Sequence, residues 1–219
     1  MDLFLRILIF GVPILIAITL HEAAHGYVAL MFGDDTAKRL GRVTLNPIRH
    51  IDPIGTILIP GVLLITGSPI LFGYAKPVPV NFGRLRHPRI DSVYVAGAGP
   101  GMNMLLAFIS ALLMHFLGFF SAEVALVLKE MLTLSLFLNV TLAVFNMIPL
   151  PPLDGGRVAV GLLPDVLARP LARTEPYGIF IIFGLLLMGP LLGFSIISWL
   201  IKGPIESIVE FIALLAGLS

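Results

Sequence analysis

Met131 to Leu150 is a run of 20 residues without a single charge, about the length a helix needs to cross the hydrocarbon core of a bilayer. Such a run leaves few folds open, because backbone N–H and C=O groups find no water in lipid and only helices or closed barrels satisfy them internally. Four more apolar runs repeat the pattern. They are Leu3 to about Phe32, Pro53 to Gly73, Ser92 through Phe120, and Tyr177 to Leu200, the last interrupted by Gly189-Pro190. Composition agrees, with 58% hydrophobic and 12% charged residues against about 45–50% and about 25% in a soluble domain. The expected fold is an all-α, multi-pass integral membrane protein, a transmembrane helix bundle forming one domain over residues 1–219. That length leaves no room for a second folded module of ordinary size beside the membrane core. The leading apolar run is read as a span rather than a cleavable signal peptide, since no small-residue cleavage site follows it.

The last stretch is patterned differently. From Pro204 on, Ile205, Ile208, Val209 and Ile212 share one helical face, and Glu206 and Glu210 lie on another. Residues 176–219 are therefore expected to carry a further span and an interfacial amphipathic helix, beyond a core of about residues 1–175. Two connections, "KRLGRVTLNPIRH" and "GYAKPVPVNFGRLRHPR", are Pro-punctuated and partly alternating, and are expected to form short β segments at the membrane face. The net charge of +1 gives no pointer to nucleic acid, because the basic residues sit in loops beside membrane runs. With no cysteine in the chain, a metal must be held by His, Asp or Glu.

The stretch "ITLHEAAHGY", residues 18–27, puts two histidines and a glutamate inside an apolar helix. Ionisable groups in a bilayer cost a few kcal/mol or more each and mark function by default. His21 and His25, four apart, leave one helical face and can grip one divalent ion. Glu22 can then reach a water on that ion without being a ligand. H-E-x-x-H on a helix supplies zinc ligands and a general base, the apparatus of metal-assisted hydrolysis. A third ligand is needed, and position 31, where the metzincin extension would have a histidine, is Met31. The candidates are His50, His87, His115 or an acid. His50 and His87 lie in basic stretches and read as solvated, and His115 reads as a core or interfacial residue. Asp154 in "NMIPLPPLDGGRV" is the better candidate: Pro149, Pro151 and Pro152 break the helix before it and Gly155-Gly156 permit a tight turn.

"HEAAH", "GAGPGMN" at 97–103 and "NMIPLPPLDGG" at 146–156, in that order and spacing, resemble the site-2 protease family of intramembrane metalloproteases. The chain is similar to a compact subgroup that lacks PDZ and nucleotide-sensing domains, in which "GYAKPVPVN" is also familiar. The resemblance implies one Zn2+ bound by His21, His25 and Asp154, with Glu22 as catalytic base, and Asn103 and Asn146 as substrate-contacting groove residues. The alternative role for both asparagines is interhelical hydrogen bonding, the role expected of Asn139. The implied partners are a transmembrane protein or peptide substrate and the lipid bilayer, and the implied location is a prokaryotic cell membrane.

Two arguments bear on topology. Lys38, Arg39, Arg42 and Arg49 precede the run 53–73, and Lys76, Arg84, Arg86 and Arg89 follow it. A positive-inside arrangement puts both loops in the cytoplasm if that run is re-entrant. Sharing one metal also requires the helices before His25 and before Asp154 to be parallel. The expected activity is zinc-dependent hydrolysis of peptide bonds in transmembrane or membrane-adjacent segments by an activated water with a Glu general base. The competing reading is a divalent-metal transporter using the same His and Asp residues, which would not require a base beside a ligand. A non-proteolytic binding role would be signalled by loss of Glu22 or Asp154, and both are present.

Overall fold

The computed structural model describes residues 3–58, 62, 76–192 and 196–218. Among these residues there are eight α-helices and no strand: α1 Leu3–Met31, α2 Thr36–Arg39, α3 Pro88–Leu113, α4 Ala122–Asn146, α5 Asp154–Leu162, α6 Asp165–Ala172, α7 Glu175–Leu192 and α8 Ile196–Leu215. Short 3-10 turns occupy Pro47–Arg49, Phe82–Arg84 and Met114–Phe119, and a π-type turn occupies Pro53–Leu58. The all-α membrane bundle read from the sequence is the observed architecture. Leu5–Met31, Pro88–Phe119 and Ala122–Asn146 are each long and apolar enough to cross a membrane.

Local sequence explains where the first span stops. Gly33 adopts φ +107°, a left-handed conformation that costs glycine nothing, and the Asp34 N–H closes on the Ala29 carbonyl across it at 2.9 Å. Pro13 and Pro100 lie inside α1 and α3, as membrane helices tolerate when neighbouring groups satisfy the freed carbonyls.

Side-chain pairings fix helix directions. His25 meets Val95 while His21 and Ala17 meet Asn103, so α1 and α3 are antiparallel. Asn103 meets Asn139 and Ser110 meets Ser135, so α3 and α4 are antiparallel too. The first and third spans thus run parallel, as a shared metal requires. Small residues let α3 and α4 approach closely: Ala107 and Ala111 are fully buried with Leu136 and Val140. The apolar stripe near the C-terminus is present on α8, but Ile205 and Ile212 are buried in that same cluster, with Ile208 and Val209 against it. The stripe expected on the bilayer surface is a packing face of the bundle.

The β segments are a correction. Residues 38–50 form α2, a turn and a 3-10 turn, and residues 76–81 are extended but pair with no strand. Pro77 and Pro79 lack the N–H groups a ladder would use, and side chains bond several of the others. The Val78 N–H donates to Glu22 Oε2 at 2.7 Å, the Asn81 N–H to Asp34 Oδ2 at 2.6 Å, and Arg42 donates to the Lys76 carbonyl at 2.5 Å. This strap lies across α1, with Val78 and Val43 packed over Gly26. Most of the run 53–73 expected to be re-entrant lies outside the described residues.

Candidate metal centre

α1 brings His21 and His25 to one face, one turn apart, and α3 supplies what lies opposite them. Three α3 residues spaced by four share the facing side: Val95, Gly99 and Asn103. The Val95 carbonyl accepts from His25 Nδ1 at 2.6 Å. Asn103 Oδ1 accepts from His21 Nδ1 at 2.5 Å. With both Nδ1 atoms committed as donors, each neutral ring keeps its lone pair on Nε2. Between these two anchors Gly99 presents no side chain. A Cβ there would stand 2.4 Å from His25 Nε2 and 2.6 Å from both Cε1 and Nε2 of His21, so only a glycine lets the two rings lie this close to α3.

Asp154 arrives from the far end of the chain. It is the first residue of α5, and glycines fold the segment back on itself. A Cβ at Gly155 would collide with the Met147 carbonyl, one at Gly156 with the Pro151 nitrogen, and one at Gly178 of α7 with the Pro151 carbonyl. The Pro-rich turn is therefore clamped between α5 and α7 at van der Waals contact, and the carboxylate is carried to the histidines. Asp154 Oδ2 lies 3.3 Å from His21 Nε2 and 3.4 Å from His25 Nε2, and the two nitrogens are 3.1 Å apart.

Three observations show that this set fits a metal. The triangle of 3.1, 3.3 and 3.4 Å matches the roughly 3.3 Å between donors that each stand about 2.0–2.1 Å from a tetrahedral ion. Asp154 Oδ2 is buried without a hydrogen-bond donor, a costly state for a carboxylate oxygen unless a cation completes it. Two neutral imidazoles and one carboxylate are also the donor types of catalytic zinc sites, which leave a fourth position open. Among the described residues, His21, His25 and Asp154 are the group of three able to hold an ion.

The other sequence candidates fall elsewhere. Glu22 is next to the triangle on α1, half-buried, with Oε2 held by the Val78 N–H. Asn103 is fully buried behind His21. Asn146 is half-buried near the end of α4, and its amide donates back to the Leu142 carbonyl at 3.0 Å. His87 is exposed, as expected. His115 bonds the Ala216 carbonyl at 2.6 Å, capping the end of α8. His50 departs from its solvated reading: it is 2% exposed, its Nε2 bonds the Thr44 carbonyl at 2.9 Å, and its own carbonyl accepts from Lys76. Closure of the 34–50 loop on the strap buries it. Sequence reasoning missed Gly99, whose only signal was the small-residue run "GAGPG" and its spacing from Asn103.

Comparison with known proteins points to the same chemistry. Residues 114–189 match the model of peptidase family M50. "Putative zinc metalloprotease YwhC" of Bacillus subtilis (strain 168) is 44% identical over 184 residues, covering 82% of this chain and 80% of that protein. Rip2 of Mycolicibacterium smegmatis (strain ATCC 700084 / mc(2)155), which carries the same description, is 31% identical over 84% of this chain and 70% of its own length. Rip2 of Mycobacterium tuberculosis (strain ATCC 25618 / H37Rv) is 29% identical over 85% of this chain. No solved structure matches. Identity sustained over four-fifths of both chains, joined to a His-His-Asp triangle able to hold a metal, makes this chain a zinc metalloprotease of peptidase family M50, the site-2 protease family.

Proposed function

We propose that the protein is an intramembrane endopeptidase in which His21, His25 and Asp154 hold the zinc ion and Glu22 is the general base. The observation that carries this reading is the donor triangle whose two histidines stand in a helix long and apolar enough to cross a membrane, with a carboxylate on the residue beside one of them. His25 and His21 stand six and ten residues before the end of α1, or about 9 and 15 Å along the axis, so peptide bonds reaching them are bonds within or at the edge of the bilayer. When bound, zinc supplies Lewis acidity for water and for the scissile carbonyl.

The chain's own residues do the rest. Glu22 takes the proton of the attacking water and returns it to the leaving amine. Its Oε2 is fixed by the Val78 N–H, so the second oxygen is the one presented for proton transfer. A substrate helix must be locally unwound, because a hydrogen-bonded backbone resists attack. In this reading Asn146, half-buried at the end of α4, bonds substrate backbone through its amide oxygen, its nitrogen being held by the Leu142 carbonyl.

Glu22→Gln tests the reading. The amide retains shape but accepts no proton, so cleavage of a reconstituted membrane substrate falls by the 10²–10⁴-fold typical of losing a general base, while zinc content stays at one ion per chain. Wild-type cleavage by this variant would remove Glu22 from the mechanism. Chelator treatment should abolish cleavage and zinc should restore it.

A further inference from the structure

The His21–Asn103 contact is one end of a longer chain of buried polar groups. Asn103 Nδ2 donates to Asn139 Oδ1 at 2.8 Å and faces the Ala17 carbonyl at 3.4 Å. Asn139 Nδ2 donates to the Ser135 carbonyl at 2.9 Å and lies 3.3 Å from Ser135 Oγ. Ser135 and Ser110 share a hydroxyl–hydroxyl bond of 2.8 Å, and the Ser110 hydroxyl donates to the Leu106 carbonyl at 2.8 Å. Asn103 and Asn139 are 0% and 1% exposed, between spans where no water competes.

This chain admits one ordering of its protons. A backbone carbonyl can only accept. The Leu106 carbonyl takes the Ser110 hydroxyl proton, so Ser135 must donate to Ser110. The Ser135 carbonyl requires the amino group of Asn139, which turns Asn139 Oδ1 toward Asn103. Asn103 must then present its own amino group to Asn139 and Ala17, leaving its oxygen for His21. His21 consequently carries its proton on Nδ1 and its lone pair on Nε2, the atom 3.3 Å from Asp154.

We propose that Asn139 is a positioning residue for the metal site: through Asn103 it sets the His21 tautomer that leaves Nε2 free to bind zinc. It touches neither metal nor substrate. Without Asn139, the Asn103 amide loses its stronger acceptor and can rotate to offer its amino group to Nδ1. That rotation places the His21 proton on Nε2, where it must be lost before zinc binds. Partners that orient metal-ligating histidines change metal affinity about 10–100-fold when removed. The proposal rests on His21 being a zinc ligand.

The test uses the full-length protein in detergent, labelled with ¹⁵N-histidine, with His21→Ala, Asn139→Leu and Val140→Ala variants. In metal-free wild type, nitrogen shifts should report the proton of His21 on Nδ1. Asn139→Leu should shift that signal toward a mixture of tautomers and weaken zinc binding about 10–100-fold in chelator competition. Val140→Ala removes buried bulk from the same helix without touching the polar chain, and should lower the melting temperature while leaving tautomer and affinity unchanged. An Asn139→Leu protein with the wild-type tautomer and wild-type affinity overturns the proposal. If His21→Ala itself keeps full zinc affinity, the ligand assignment fails instead, a result that Asn139→Leu alone could not produce.

Discussion

A glycine decides whether the metal centre can exist. His21, Glu22 and His25 were legible because their chemistry is written in a single helical turn, and Asp154 because prolines and glycines announce the break that delivers it. The role of Gly99 was hidden, because it depends on how closely another helix approaches. A methyl at Gly99 would collide with both imidazoles and push them from their places, whereas a Cβ at Gly97 or Gly101 meets nothing within 4 Å. Gly99→Ala should therefore abolish zinc binding and proteolysis, and Gly97→Ala and Gly101→Ala should retain both. Zinc analysis of the three purified variants checks this, and normal zinc content in Gly99→Ala would mean that the ion sits elsewhere. The His50 misreading has a related cause. Its basic neighbours suggested solvent, but the residues that cover it, Lys76 among them, lie beyond a run of more than 20 residues.

At the scale of elements, helices were readable and the connections were not. Length and absence of charge mark a span without reference to anything else in the chain, which is why α1, α3 and most of α4 followed from pattern alone; α4 begins at Ala122, ahead of the charge-free run, because Glu123, Lys129 and Glu130 are carried inside it. The strap 76–81 alternates like a strand, yet its conformation is set by Glu22, Asp34 and Arg42, side chains 34 or more residues away in sequence. Asp34 is the firmest of these anchors. It is fully buried and accepts from the Thr36 N–H at 3.0 Å, the Thr36 hydroxyl and the Asn81 N–H. Burial alone would raise its pKa, but the bonds from Thr36 and Asn81, with Arg84 nearby, outweigh it and hold the carboxyl below its ordinary value. A depressed carboxyl contributes stability that is present above its unfolded pKa, about 3.9, and is lost as pH falls through the folded value. Melting in detergent should thus show destabilisation setting in below about pH 4 that is smaller in Asp34→Asn. Asp34→Ala, which leaves the strap's N–H without its acceptor, should cost about 1–3 kcal/mol at neutral pH. Acid profiles that coincide for wild type and Asp34→Asn would remove this residue from the latch.

At the scale of the whole molecule, the contacts that build the site also gather the loops. The Arg86 N–H donates to the Phe32 carbonyl at 3.1 Å, and Arg84 pairs with Asp35 at 2.8 Å. The segment following the run 53–73 therefore lies against the segment before it. Arg89 pairs with Asp165 at 2.9 Å, and Arg157 stands 4.6 Å over the Phe82 ring, which adds the region after α4 to the same face. All Lys and Arg of the chain except Arg6, Lys129 and Lys202 fall in these gathered segments. A bias of that size predicts that this face is cytoplasmic. The segments on either side of residues 53–73 are then expected on one side of the membrane. The chain has no cysteine, so single cysteines can report the arrangement. Arg42 is unsuitable as a probe because it is buried, whereas Ile48 is 73% exposed and Arg86 and Ser121 are also exposed. Ile48→Cys and Arg86→Cys should resist a membrane-impermeant thiol reagent in intact cells and react once the membrane is opened. Ser121→Cys, at the start of α4 on the opposite face, should react without opening. Reaction of Ile48→Cys but not Arg86→Cys in intact cells would place the two loops on opposite sides. The antiparallel pairing of α1 with α3, through which α4 runs parallel to α1 and brings Asp154 to His21, could not then stand.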